Sequence, residues 1–143
     1  RAMPQRLPET SVVVHDRPEL VADLPVAGVH LSWRRAASLT ERPVPEDHWF
    51  GVSCHNADEL AHSAAIGADY ATLGPVLPTP SHPEAEGMGW DRFTELADRA
   101  VLPVYALGGI GPDHLDRSIQ AGAQGIAGIS WWWPAPDNRP EAL

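Results

Sequence analysis

The stretch from Leu102 to Ser130, LPVYALGGIGPDHLDRSIQAGAQGIAGIS, decides the fold. Val104 to Leu107 is a short β-favouring run, and Gly108-Gly109 breaks it. Pro112-Asp113 is a good helix opening; the helical stretch runs to Ala121 and stops at Gly122. Gly125 to Ile129 then predicts another strand. Strand, helix and strand joined by short links make the βα unit of a parallel sheet.

The same alternation extends upstream. Strands are predicted at Ser11–His15, Ala27–Leu31, Trp49–Ser53 and Asp69–Leu73, with helical pieces at Pro18–Asp23 and near Ala36, and a Pro-rich link over Arg42–Asp47. Asn56 can cap a helix whose Leu60, Ala64 and Ala65 share one face, with Gly67 ending it. Gly74–Gly89 reads as a Gly/Pro-rich connection too polar and broken to be core, of a length that is usually functional or mobile. Trp90–Ala100 reads as a helix with Phe93, Leu96 and Ala97 facing inward. Six strand candidates fall two short of a (β/α)8 TIM-barrel, which needs roughly 200 residues or more against the 143 here. Either two strands precede Arg1 or the sheet is open. Residues 1–130 are expected to form this partial barrel domain, and residues 131–143 (WWWPAPDNRPEAL) a loose tail.

Composition narrows the function. Ten basic residues, all arginine, against 19 acidic ones give a formal charge of −9, a field that repels nucleic acid. A phosphorylated ligand must therefore be caught by local backbone donors. No stretch is long enough to cross a bilayer, and the single Cys54 fits a reducing, cytoplasmic setting and excludes a cysteine-based zinc cluster. The opening Arg1-Ala2-Met3-Pro4 shows no leader, and the natural start is expected upstream.

In parallel α/β folds ligands gather at the C-terminal ends of the strands. Adjacent glycines at Gly108-Gly109 let backbone approach a ligand and point N–H groups at an anion, and Gly128-Ile129-Ser130 after the last strand can close the other side of a phosphate. The alternative for Gly108-Gly109 is a tight turn. His30, at the end of an apolar strand, reads as a hydrogen-bonded interior residue.

Five ordered segments carry a family resemblance. They are His15-Asp16-Arg17 with Gly28-Val29-His30-Leu31; Gly51-Val52-Ser53-Cys54-His55; Gly67-Ala68-Asp69-Tyr70 running into Gly74 to His82; Pro103 to Ile110; and Ala121 to Ala127. This order resembles the thiamine phosphate synthase/TenI family of thiamine biosynthesis. The resemblance implies a transferase joining a pyrimidine diphosphate to a thiazole phosphate with magnesium help, or a tautomerase acting on a thiazole phosphate. Residue by residue, it implies that Ser53 contacts the diphosphate, that Thr79 and Ser81 are the hydroxyl pair of the thiazole-side loop, and that Gly109, Ile129 and Ser130 cradle the thiazole phosphate. Asp16 matches one magnesium-binding carboxylate.

Three positions depart from the synthase pattern: His15 stands where Asn is usual, Arg35 where a second metal carboxylate is usual, and His82 where Lys is usual. An arginine at the metal position removes an oxygen ligand and adds a repelling charge, so magnesium is a doubtful cofactor for this chain. His82 is then either a phosphate donor or an exposed loop side chain. His55, beside Ser53, is either a proton carrier in the tautomerase manner or a cap on the following helix. The departures also resemble family members fused behind a Nudix-type hydrolase, which implies a sensing or interaction domain as the alternative function. Trp131-Trp132-Trp133 is a contact surface if exposed and a plug of the rim if buried. The unpaired edges of an incomplete barrel predict a covering partner or self-association into a homo-oligomer.

Overall fold

In a computed structural model, the described residues are 10–79 and 86–128. Six parallel strands lie side by side in chain order: β1 (Val13–His15), β2 (Gly28–Leu31), β3 (Trp49–Cys54), β4 (Tyr70–Leu73), β5 (Val104–Leu107) and β6 (Gly125–Ala127). Between them run a 3-10 turn at Pro18–Ala22, α1 (Trp33–Ala36), α2 (Ala57–Ala65), α3 (Gly89–Arg99), and a 3-10 turn at Pro112–His114 that leads into α4 (Leu115–Gln120). An unbroken order of parallel strands with helices in the crossovers is a partial TIM-barrel arrangement, as the alternation predicts. Residue 129 and the tail at 131–143 lie outside the described residues.

Period-two alternation gives the sheet two unlike faces. Val29, Leu31, Phe50, Val52, Ala71, Leu73 and Ala106 are buried, and Phe93 and Leu96 of α3 join them in the core. The other face carries His30, Gly51, Ser53, Tyr70, Thr72 and Tyr105 in two cross-strand rows. One row runs His30, Gly51, Tyr70, and the other runs Ser53, Thr72, Tyr105, Gly125.

Two local readings change. Ala65 is exposed, and α2 instead turns Leu60 and Ser63 into the core, where the Ser63 hydroxyl meets Cys54 Sγ at 3.2 Å. A short polar side chain is tolerated there because it finds a partner. The Gly74–Gly89 connection also enters the core: Val76 is fully buried, its N–H donating to Leu107 O (2.9 Å) while Leu77 N–H donates to Gly108 O (3.0 Å). The carbonyls at the end of β5 satisfy this loop, which lets an apolar residue between prolines sink inward.

The opposite, N-terminal edge is fastened by Arg42. Its guanidinium donates to Gly67 O (2.6 Å), to His48 O and to Asp69 Oδ2 (3.2 Å), while Nε donates to Val44 O (3.0 Å). Asp69 Oδ2 also accepts the Phe50 N–H at 2.8 Å, so one ion pair ties the Pro-rich link to the starts of β3 and β4. The Arg42 side chain is 16% exposed. Arg42→Met is expected to destabilise the fold by about 3 kcal/mol, because several carbonyls and a carboxylate lose their donor together. A urea denaturation midpoint measured on both proteins checks this, and an unchanged midpoint would contradict it.

Candidate functional site

All strands being parallel, the loops that follow them gather at one rim. Asp16, directly after β1, holds a left-handed backbone conformation (φ 57°), which Asp tolerates better than most residues. Its carboxylate accepts the Ser32 N–H at 2.7 Å and the Ser32 hydroxyl at 2.9 Å, and its own N–H donates to His30 O at 3.0 Å. Burial alone would raise its pKa, but the two Ser32 hydrogen bonds outweigh that and, with His15 and Arg35 nearby, hold it below the usual carboxylate value. Asp16 thereby tethers the end of β1 to the start of α1, whose N-cap is Ser32.

Magnesium requires oxygen ligands in near-octahedral array, commonly one or two carboxylates besides the substrate. Among the described residues no group of three or more His, Cys, Asp or Glu side chains could hold a metal ion, and both Asp16 oxygens are hydrogen-bonded to Ser32. Among the described residues Asp16 is the carboxylate at the matched metal position, and Ser32 already engages both its oxygens.

The sheet's polar face holds a connected network. His30 Nε2 lies 2.8 Å from Ser53 Oγ, and His30 Nδ1 lies 3.0 Å from the Tyr70 hydroxyl. Tyr70 reaches His30 by lying across Gly51; a Cβ at Gly51 would sit 2.0 Å from Tyr70 Cζ. The His15 ring stacks on that of His30 at a centroid distance of 6.5 Å, and Tyr105 meets Tyr70 edge-on at 5.8 Å. Burial, reinforced by His15, pushes the His30 pKa down to about 4, so the ring is neutral near pH 7. Burial likewise raises Tyr70 to about 12. Thr72, in register with Ser53, is 8% exposed, and its hydroxyl is buried without a hydrogen-bond partner.

Ser53 is thus joined to His30. His55 turns elsewhere: its ring, 53% exposed, places Nδ1 2.7 Å from Glu59 Oε1, which also accepts the His55 backbone N–H at 2.9 Å. Asn56 Oδ1 accepts the Glu59 N–H at 2.9 Å, so Asn56 caps α2, and the Glu59 carboxylate reaches back to the His55 N–H and ties His55 to that cap.

Gly108 and Gly109 both have positive φ, 102° and 68°. They pack closely under the β4–α3 connection: a Cβ on Gly108 would lie 2.4 Å from Pro75 Cα, and one on Gly109 would lie 2.6 Å from Pro78 O. The pair serves a tight turn, and Gly109 remains exposed at the rim, its N–H without an acceptor among the described residues. Thr79 lies half-buried within the same connection. Ser81, His82, Ile129 and Ser130 lie outside the described residues. Among the described residues, concavities away from this rim include one of about 190 Å³ lined by Leu60, Ala64, Leu96 and Val101 and another of about 400 Å³ beside Arg42 and Glu46.

His30 is the hydrogen-bonded interior residue the sequence predicts; its union with Ser53 and Tyr70 is what sequence reasoning missed. The available signal was Gly51, since a glycine inside a strand marks a close approach by another group. No described helix is long and apolar enough to cross a membrane.

Comparison with known proteins agrees with this architecture. The family model described as thiamine monophosphate synthase matches residues 5–131. The thiamine-phosphate synthase of Thioalkalivibrio sulfidiphilus is 35% identical over 132 residues, covering 91% of this chain and 63% of that protein. The thiamine-phosphate synthase of Bacillus velezensis is 34% identical over 132 residues, covering 91% of this chain and 59% of its own length. Among solved structures, thiamine phosphate pyrophosphorylase from Pyrococcus furiosus superposes with a TM-score of 0.66 at 23% identity, covering 87% of this chain and 59% of that one, a likeness of fold. The chain therefore spans about three fifths of the length of these relatives. With the family model matched along nearly its whole length, and a parallel half-barrel of the same kind as a solved pyrophosphorylase, the chain belongs to the thiamine monophosphate synthase family.

Proposed function

We propose that this chain is a thiamine-phosphate synthase-like domain that binds a thiazole phosphate, or a related small phosphoester, in thiamine biosynthesis or salvage. The observation that carries the reading is the uninterrupted parallel order of β1 to β6, which brings Asp16, Ser53, Thr79 and Gly109 to one rim. In this reading the exposed Gly109 N–H and the Ile129–Ser130 segment hold the phosphate. Thr79 and Ser81 are assigned as the hydroxyl pair for the thiazole ring and His82 as a further donor to the phosphate, and the Ser53 hydroxyl meets a second anionic group. Net charge works against capture, so short-range donors supply the attraction. Where chemistry follows, His55 carries the proton, with Glu59 orienting the imidazole through Nδ1.

Isothermal titration of thiazole phosphate against the protein tests the reading. Ser130→Ala is expected to weaken binding about tenfold, the loss of one hydrogen bond to a charged oxygen, while Ser53→Ala, whose hydroxyl meets the second anionic group, is expected to stay within about twofold of the parent. Binding that is undetectable in all three proteins, or equal in all three, would refute the assignment. A parallel assay for thiamine phosphate formation separates a working synthase from a domain that binds its ligand without turnover, the behaviour expected of a sensing module attached to a hydrolase.

A further inference from the structure

We infer that His30 is a positioning residue that turns the Ser53 hydroxyl into a hydrogen-bond donor toward the ligand, and that Tyr70 fixes this arrangement by donating to His30 Nδ1. The inference rests on the reading of Ser53 as a ligand-facing group.

A neutral imidazole carries one N–H, and its two nitrogens have one partner each: Ser53 Oγ at 2.8 Å from Nε2 and the Tyr70 hydroxyl at 3.0 Å from Nδ1. Two proton arrangements satisfy those contacts. In the first, Tyr70 O–H donates to bare Nδ1, Nε2–H donates to Ser53 Oγ, and the Ser53 proton points away from His30. In the second, Ser53 donates to Nε2 and Nδ1–H donates to Tyr70, whose own proton then needs another acceptor. Among the described residues Tyr70 OH has His30 as its one hydrogen-bond partner. Each arrangement leaves one hydroxyl proton over, that of Ser53 in the first and that of Tyr70 in the second; because Ser53 faces the ligand in the reading above, only the first gives both protons an acceptor once an anion is bound, and it is selected. The register makes this specific. Gly51 stands between His30 and Tyr70 in the cross-strand row, and its missing side chain is what lets the phenol span β3.

The consequence is chemical. With Nε2 protonated, His30 cannot accept the Ser53 proton, so the serine–histidine contact is not a nucleophile–base pair. Ser53 instead presents its proton outward, the polarity that suits an anionic oxygen. The same arrangement keeps His30 uncharged, so the attraction for an anion comes from the oriented hydroxyl and not from an imidazolium.

The histidine ring tautomer can be read directly. Two-bond proton–nitrogen NMR spectra of the ¹⁵N-histidine-labelled chain distinguish bare from protonated ring nitrogens, and His30→Gln assigns the signal. An Nε2–H, bare-Nδ1 ring between about pH 6 and 8 is expected; an Nδ1–H ring or an imidazolium in that range overturns the inference. Tyr70→Phe is expected to let the Nδ1–H form appear. Titration with inorganic pyrophosphate supplies the second arm. His30→Gln can donate through its amide nitrogen and accept through its oxygen, so it is expected to stay within about twofold of the parent, while His30→Leu loses about tenfold. Unchanged affinity in His30→Leu together with weakened binding in Ser53→Ala overturns the positioning role. Unchanged affinity in Ser53→Ala with the expected tautomer intact refutes the ligand reading of Ser53 and leaves the hydrogen-bond arrangement standing. Should the leucine variant fail to fold, the tautomer of the parent protein decides.

Discussion

Gly108→Ala is expected to destabilise the fold by about 4 kcal/mol and to abolish the proposed ligand binding along with it. Two penalties combine. At φ 102° the residue sits where L side chains are strained, a cost of roughly 1–3 kcal/mol. The added methyl would also lie 2.4 Å from Pro75 Cα and 3.1 Å from Val76 N, atoms of the backbone that cannot rotate away. Moving them breaks the bonds from Val76 N–H to Leu107 O and from Leu77 N–H to Gly108 O, and draws Val76 out of the core. Overpacking of this kind adds roughly 1–3 kcal/mol. Gly109→Ala is expected to cost less, about 2 kcal/mol, because φ 68° lies close to the left-handed region that L residues can occupy, although its methyl still meets Pro78 O at 2.6 Å. Urea unfolding of the three proteins checks the order. Equal stability of Gly108→Ala and the parent would show that the loop does not rest on β5 as described. These glycines are poor probes of the proposed phosphate site, since their substitution disturbs the backbone packing first; Ser130 is the better choice.

The fold was legible because its signals are local. Asn56 accepts the Glu59 N–H as its cap position predicts, Pro112-Asp113 opens a helical segment, and each strand candidate has its counterpart in the sheet. A parallel order then follows from the alternation alone. The rim was legible in outline, since the residues after each strand must gather at one end. What sequence reading could not supply was register. His30, Ser53 and Tyr70 stand on three different strands, and only the pairing of His30 with Gly51 and of Gly51 with Tyr70 brings them into contact. Ser53 beside His55 in the chain suggested a pair, yet β3 ends at Cys54 and the α2 cap takes His55, so the two side chains find different partners. Val76 was missed for a related reason: prolines on either side make the segment look like loop, and its burial depends on carbonyls that β5 presents from far along the chain.

Acidification from about pH 6.5 to pH 4 is expected to remove about 2–3 kcal/mol of stability through His30 alone. Its folded pKa of about 4 lies below the ordinary 6.5, mainly because burial penalises the charged ring, with His15 adding repulsion and Asp16 opposing it. Above pH 6.5 the ring is neutral whether the chain is folded or not, so it contributes no slope. Between 6.5 and 4 the unfolded chain takes up a proton that the folded chain excludes, and stability falls as the pH falls. Below about 4 the folded ring protonates as well and the His30 contribution levels off. Asp16 acts in a lower window: its depressed pKa means that stability present above the ordinary carboxylate value is lost as the pH drops through the folded one. His30→Gln removes the first effect while keeping a donor for Ser53 and an acceptor for Tyr70, so its stability is expected to be nearly flat from pH 6.5 to 4 apart from the other histidines and carboxylates. The difference between the two unfolding curves, measured by urea titration at a series of pH values, isolates the buried imidazole. Parallel curves would mean that His30 is hydrated in solution, and the hydrogen-bonded network on the polar face of the sheet would then be too loose to orient Ser53.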